Sequence, residues 1–261
     1  MKKSLLKVFA LACTLFLLVS AVPAAAADSQ PEQPAPRQEQ QKQDTEKPKK
    51  VKAVLPKHKH GAGCEKTQAE PVLLVCILDR SGSMHSLAAD TIGGYNSFLA
   101  KQKAEEGKAE LTTVLFDDQY EVLLERKPLA KAPELTGKDY FARGTTALLD
   151  AVGKTIMTTA GSMEKEGICP QRRKVLFMIM TDGLENASQE YKREKVRDMI
   201  TEAQEKYGWQ FIFMGANIDS FAEAQSLGID RKNAMNYEAS GEGVQASFQQ
   251  MDRAASAARG H

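Results

Sequence analysis

The chain carries almost no net charge: its 261 residues hold 35 Lys and Arg against 34 Asp and Glu, a formal balance of +1. No one-signed field therefore draws it to nucleic acid or to an anionic membrane surface, and composition argues against a DNA-binding role. Long apolar runs are scarce too. The stretch Val8 to Val22, bounded by Lys7, is about fifteen residues, short of the roughly 20 that a spanning helix needs. With Lys2 and Lys3 before it, and Pro23 and the small residues Ala24 to Ala27 after it, residues 1–27 read as a secretory signal cleaved after Ala27. The alternative is an uncleaved anchor, and only then is the chain held at a membrane. Cys13 lies in this stretch, but Ala10 stands where a lipoprotein signal carries a larger aliphatic residue, and the apolar run continues past the cysteine. Cysteine is sparse: Cys64, Cys76 and Cys169 remain after cleavage, enough for one disulfide and one free thiol.

Residues 28–70 lack large apolar side chains and are rich in Gln, Pro, Lys and Glu, so they cannot bury enough surface to offset the entropy of ordering. They read as a disordered linker. Within it His58 and His60 alternate with lysines, and Cys64 follows. Two histidines without a firm third ligand make a weak metal site, and a solvated linker is the simpler reading. Residues 71–261 have a different texture, with apolar runs alternating with amphipathic stretches, the pattern of a parallel sheet covered on both faces by helices. Strands are expected at Val72 to Leu78, Leu111 to Phe116, Tyr120 to Leu124, Val175 to Met180, Phe211 to Met214 and Ala234 to Tyr237. Only Asp117, Asp118 and Gln119 separate the second strand from the third, too few residues for a parallel crossover, so the third is an antiparallel edge strand. Helices are expected around Ile92 to Leu99, over Ala147 to Met163, around Val196 to Tyr207, near Ser220 to Leu227 and from Val244 to Ala258. Gly93 and Gly94 would let the first helix sit close to the sheet. The predicted fold is a doubly wound, mostly parallel six-stranded α/β sheet with one antiparallel edge strand.

Three segments fall on one rim of that sheet. Asp79-Arg80-Ser81-Gly82-Ser83 follows the first buried strand, Gly144-Thr145-Thr146 opens a helix, and Thr181-Asp182-Gly183 ends the strand starting at Val175. The carboxyl ends of such strands are where open α/β sheets bind ligands. Taken alone, D-x-S-x-S is as consistent with turn and capping chemistry. Together the three segments resemble the metal-ion-dependent adhesion site of von Willebrand factor A-type domains, a likeness spanning roughly Pro71 to Arg259. The resemblance implies that Ser81, Ser83 and Thr146 supply hydroxyl ligands, while Asp79 and Asp182 act largely through bound water. It implies Mg²⁺, with Mn²⁺ as substitute, in oxygen coordination that suits hard cations. An open position on that ion would take an Asp or Glu of a protein partner. Thr145 rivals Thr146, the Gly-x-Thr spacing favouring the latter, and Thr146 has a further expected role in capping the helix it precedes. The family's sheet order makes the strands starting near Val72 and Val175 parallel neighbours. That would bring Cys64 near Cys169 for a disulfide and leave Cys76 a core thiol.

Other signals are weaker. Gly153-Lys154-Thr155 lacks the glycine of a phosphate loop, Leu148 standing in its place, and Gly241-Glu242-Gly243 has no second βαβ unit behind it, so no nucleotide site is expected. His85 is an exposed neighbour of the turn, and Lys192, Arg193, Lys195 and Arg197 read as a solvated helix face. No activated nucleophile or acid/base pair accompanies the rim, so the chain is not expected to be an enzyme. The expected function is an extracytoplasmic, metal-dependent protein-binding module for adhesion or assembly. The alternatives are a metal-assisted hydrolase, or metal handling through His58, His60 and Cys64.

Overall fold

The computed structural model describes Leu55 and residues 70–261. The signal segment and the linker signals at His58, His60 and Cys64 lie outside the described residues. Six strands form one sheet in the order β3-β2-β1-β4-β5-β6. They are β1 (Val72–Asp79), β2 (Ala109–Phe116), β3 (Tyr120–Pro128), β4 (Val175–Thr181), β5 (Gln210–Gly215) and β6 (Ala234–Asn236). All neighbours are parallel except β2 and β3, the expected hairpin. The helices are α1 (Ala88–Ala104), α2 (Leu148–Glu166), α3 (Arg193–Tyr207), α4 (Ser220–Ser226) and α5 (Gly241–Arg259).

Strand β1 shows why the sheet is covered on both sides. Its residues from Leu73 onward are all buried, and because side chains alternate, two separate cores grow from it. Leu73, Val75 and Ile77 face α2 and α3, joining Val152, Ile156, Val196 and Ile200. Leu74, Cys76 and Leu78 face α1 and α5, joining Tyr95, Phe98, Val244 and Phe248. Cys76 is a free buried thiol whose pKa burial pushes up to about 12, so it packs as a small apolar residue. The strand order reverses at β1, since β2 lies on one side and β4 on the other. This topological switch opens the crevice beside the carboxyl ends of β1 and β4.

Two packing details differ from the sequence reading. Gly94 serves the approach of α1 to α5: a Cβ there would lie 2.3 Å from a ring carbon of Phe248, whereas Gly93 meets nothing within 4 Å. Arg193 is not on a solvated face, for its Nη1 reaches Glu223 of α4 at 2.7 Å and so ties α3 to α4.

Leu55, inside the segment read as linker, is 4% exposed and part of the core on the α2 and α3 face. Its N–H donates to Oε2 of Glu202, a buried residue of α3, at 3.1 Å. Leu55→Ala is therefore expected to lower the unfolding free energy of the intact chain by about 2 kcal/mol, the low end for a buried leucine truncation. Urea denaturation measures the change, and an unaltered midpoint would mean that the leucine contributes no packing.

Candidate metal centre

The crevice at the switch point gathers all five residues expected there. Asp79 ends β1, and its Oδ1 accepts the Ser81 N–H at 2.7 Å, curling the turn back on the strand. Its Oδ2 accepts from Thr181 Oγ1 at 2.5 Å, which links the ends of β1 and β4. Ser81 Oγ lies 3.1 Å from Ser83 Oγ, and Ser83 Oγ donates to Asp182 Oδ1 at 2.5 Å. Gly183 closes the set: its open side lies 3.3 Å from Thr146 Oγ1 and 3.6 Å from Ser83 Oγ, measured from where a Cβ would stand. Thr146 is buried and Thr145 exposed. Among the described residues the Thr146 hydroxyl makes no hydrogen bond. It does not cap α2, contrary to the expectation, because the cap position is Ala147 and no side chain of that residue can cap.

The first amides of α2 are capped instead from a distant loop. Leu149 N–H donates to Glu185 Oε2 at 2.9 Å and Asp150 N–H to Ser188 Oγ at 3.0 Å. Asp150 in return accepts from the amides of Gln189, Glu190 and Tyr191. Asn186 grips Thr146 directly: its Oδ1 accepts the Thr146 N–H at 2.9 Å, and its own N–H donates to the Thr146 carbonyl at 3.0 Å. The loop that carries Asp182 is thus zipped to the loop that carries Thr146, which fixes the distance between them. Gly144 permits the close approach on the other side, with φ of +66° and room for no Cβ, which would meet Asp118 Oδ1 at 2.0 Å. Beneath the site two buried tyrosines hold the strand ends, Tyr140 donating to the Asp79 carbonyl and Tyr237 to the Thr181 carbonyl at 3.1 Å.

Charge at the site is unevenly compensated. Arg80 and Arg143 are both turned onto Asp117, at 3.1 Å and 2.6 Å, and Arg80 also reaches Glu121. Among the described residues neither Asp79 nor Asp182 is paired with a cation. Burial pushes the Asp79 carboxyl up to about 6, against the hydrogen bonds from Thr181 and Ser81, with the Asp182 charge adding to the rise. Burial raises Asp182 as well, opposed by its bond from Ser83. No cluster of three or more His, Cys, Asp or Glu occurs among the described residues, so a cation here would rely on hydroxyls. That donor set, two carboxylates with three hydroxyls and no countercharge, fits a hard divalent ion.

Sequence reasoning did not find Asn186, Glu185, Asp150, Asp117 or the two tyrosines. Asp117, Tyr140 and Tyr237 carry no local signature. Asn186 and Glu185 follow Asp182 so closely that their loop position was the available signal.

No protein-family model matches the chain, and no curated protein matches it. Solved structures do. The pilus adhesin SpaC from Lactobacillus rhamnosus GG in its open conformation is 14% identical with a TM-score of 0.55, over 73% of this chain and 30% of that one. The vWF domain of the type V pili tip protein Mfa5 from Porphyromonas gingivalis is 12% identical with a TM-score of 0.52, over 75% of this chain and 98% of that one. Proximal thread matrix protein 1 from the mussel byssus is 13% identical with a TM-score of 0.46, over 70% of this chain; this chain spans 46% of its length. The fold is that of a von Willebrand factor A-type domain.

Proposed function

We propose that the protein is an exported, non-catalytic binding module that engages an acidic residue of a protein partner through a divalent ion, Mg²⁺ with Mn²⁺ as substitute. Ser81, Ser83 and Thr146 would hold the ion through their hydroxyls, with Asp79 and Asp182 orienting its water. When bound, the ion supplies a strongly electrophilic position for a carboxylate, because few charged groups ligate it directly. The protein's own residues do the positioning: Asn186 sets Thr146, Thr181 sets Asp79, and Ser83 is held against Asp182.

The observation that carries this reading is the contrast between neighbouring carboxylates. Among the described residues two arginines are placed on Asp117 and none on Asp79 or Asp182. Buried anions left without a partner are costly unless a cation completes them. Export is supported by the signal-like residues 1–27. A role in adhesion or assembly is supported by the kinds of protein that share the fold, a pilus adhesin and a pilus tip protein.

Calorimetric titration of the intact protein tests the site. Mg²⁺ and Mn²⁺ should bind, whereas Ca²⁺, larger and needing more oxygen ligands, should bind at least about tenfold more weakly. Equal affinity for Ca²⁺, or no heat with any of the three, would refute the assignment.

A further inference from the structure

Large apolar side chains are rarely exposed on this domain. Among the described residues they are Val122, Phe141 and Leu184, at 37%, 44% and 61% exposure. Val122 lies on the edge strand, but the two most exposed stand on the loops that border the proposed metal site. Leu184 is the second residue after Asp182, and Phe141 is five before Thr146. An exposed leucine is ordinary on a surface, but two such residues on the loops of one proposed site stand where a partner reaching that site would meet them.

Neither residue sits on a slack loop. Leu184 lies between Gly183, whose N–H is held by Thr181 Oγ1 at 3.2 Å, and Glu185, whose carboxylate accepts from Leu149, Ala187 and Ser188. The Phe141 ring lies against two guanidinium groups, that of Arg80 5.6 Å from its centroid and that of Arg143 at 5.2 Å. Tyr140, its neighbour, is anchored by its hydroxyl to the Asp79 carbonyl, and Arg143 N–H donates to the Arg80 carbonyl at 2.8 Å. Rigid apolar side chains of this kind lose little entropy when a partner covers them.

The charges nearby point the same way. Arg80 and Arg143 are the arginines of the loops that carry the site, and both are committed to Asp117, with Arg80 also on Glu121 and Arg143 on Gln119. An incoming carboxylate is therefore left to the ion and not to these arginines, while Phe141 and Leu184 are the large apolar side chains exposed on the bordering loops.

We propose that Phe141 and Leu184 determine which partners are accepted: the acidic residue that reaches the metal must be flanked, within about two positions, by large apolar side chains that cover these two residues. The occupant is an exposed segment of another protein with one Asp or Glu bracketed by apolar residues. This rests on the metal-dependent reading above. It adds a requirement that the ion cannot impose, since the ion reads only the carboxylate.

The probe is a phage-displayed library of nonapeptides with a fixed central Asp or Glu, panned on the intact protein in Mg²⁺ and in excess chelator. The same panning is done on Leu184→Ser and, separately, Phe141→Ser. Leu184 is mostly exposed, so its variant tests the idea even if loss of the Phe141 ring disturbs Arg80. The expected result is a Mg²⁺-dependent pool enriched in Leu, Ile, Phe, Met or Trp beside the fixed acid. Peptides from that pool should bind each variant about tenfold or more weakly, because each substitution removes one large apolar side chain that the peptide would otherwise cover. A Mg²⁺-dependent pool without apolar preference, or a preference that survives both substitutions, overturns the inference and leaves the metal reading standing. Enrichment identical in chelator, or none at all, overturns both. Sedimentation velocity gives the remaining outcome: a Mg²⁺-dependent dimer abolished by Leu184→Ser would assign the patch to a second copy of this chain and overturn the proposed occupant.

Discussion

Replacing Asp79 by asparagine is expected to abolish Mg²⁺ binding and, in the same protein, to raise the melting temperature of the metal-free form. The carboxylate is 1% exposed and has no cationic partner among the described residues, so at neutral pH the metal-free fold carries an uncompensated buried charge. Its folded pKa, about 6, lies above the ordinary 3.8. The folded state thus holds this proton more tightly than the unfolded chain does. The associated stability is fully present below pH 3.8 and is lost as pH rises through about 6. At pH 7 the cost is on the order of 1–3 kcal/mol, equivalent to several degrees of melting temperature in a domain of this size. Asparagine removes the charge and keeps the shape. Its amide oxygen still accepts from Ser81, and the Thr181 hydroxyl can turn wholly to the Gly183 carbonyl, already 3.1 Å away. Scanning calorimetry with and without Mg²⁺ reads both halves. Retained Mg²⁺ affinity would remove Asp79 from the site, and a less stable metal-free protein would show that the carboxylate serves the fold.

The second large effect concerns the partner. Converting its acidic residue to the corresponding amide, or removing the metal with chelator, should each weaken the complex by about 100-fold or more. Done together, they should weaken it no further, because both break one shared bond. The partner is obtained by comparing what the protein retains from an extracytoplasmic fraction in Mg²⁺ and in chelator. Thr146→Ala should fall on the same cycle, with a smaller loss of fold stability than of affinity. Its hydroxyl has no hydrogen-bond partner among the described residues, so truncation leaves nothing unsatisfied. Losses that simply add would place recognition on another face of the domain.

The supports of the site show why such effects stay local. Thr146 is placed by Asn186 and Asp79 by Thr181, over separations of 40 and 102 residues. Substitutions at the hydroxyls leave these supports standing. The two cores on either side of β1 contain none of the five site residues.

The amino-acid sequence by itself determined the sheet and the rim. The unbroken apolar run of β1 required cover on both faces, and the three residues between β2 and β3 forced an antiparallel edge. The order of the three motifs put Asp79, Ser81, Ser83, Thr146 and Asp182 at strand ends and loop starts on one side. Those inferences rest on period, spacing and chain length, which are local quantities. The tertiary structure alone decided how charge and packing are shared among residues far apart in sequence. It turned Arg80 and Arg143 onto Asp117, and left Asp79 and Asp182 without a cation among the described residues. It passed the capping of α2 from the residue before the helix to Glu185 and Ser188. It also drew Leu55 out of a polar segment into the core beside Glu202. No periodicity announces a pairing across 37 or 147 residues, because each depends on which surfaces the folded sheet brings face to face.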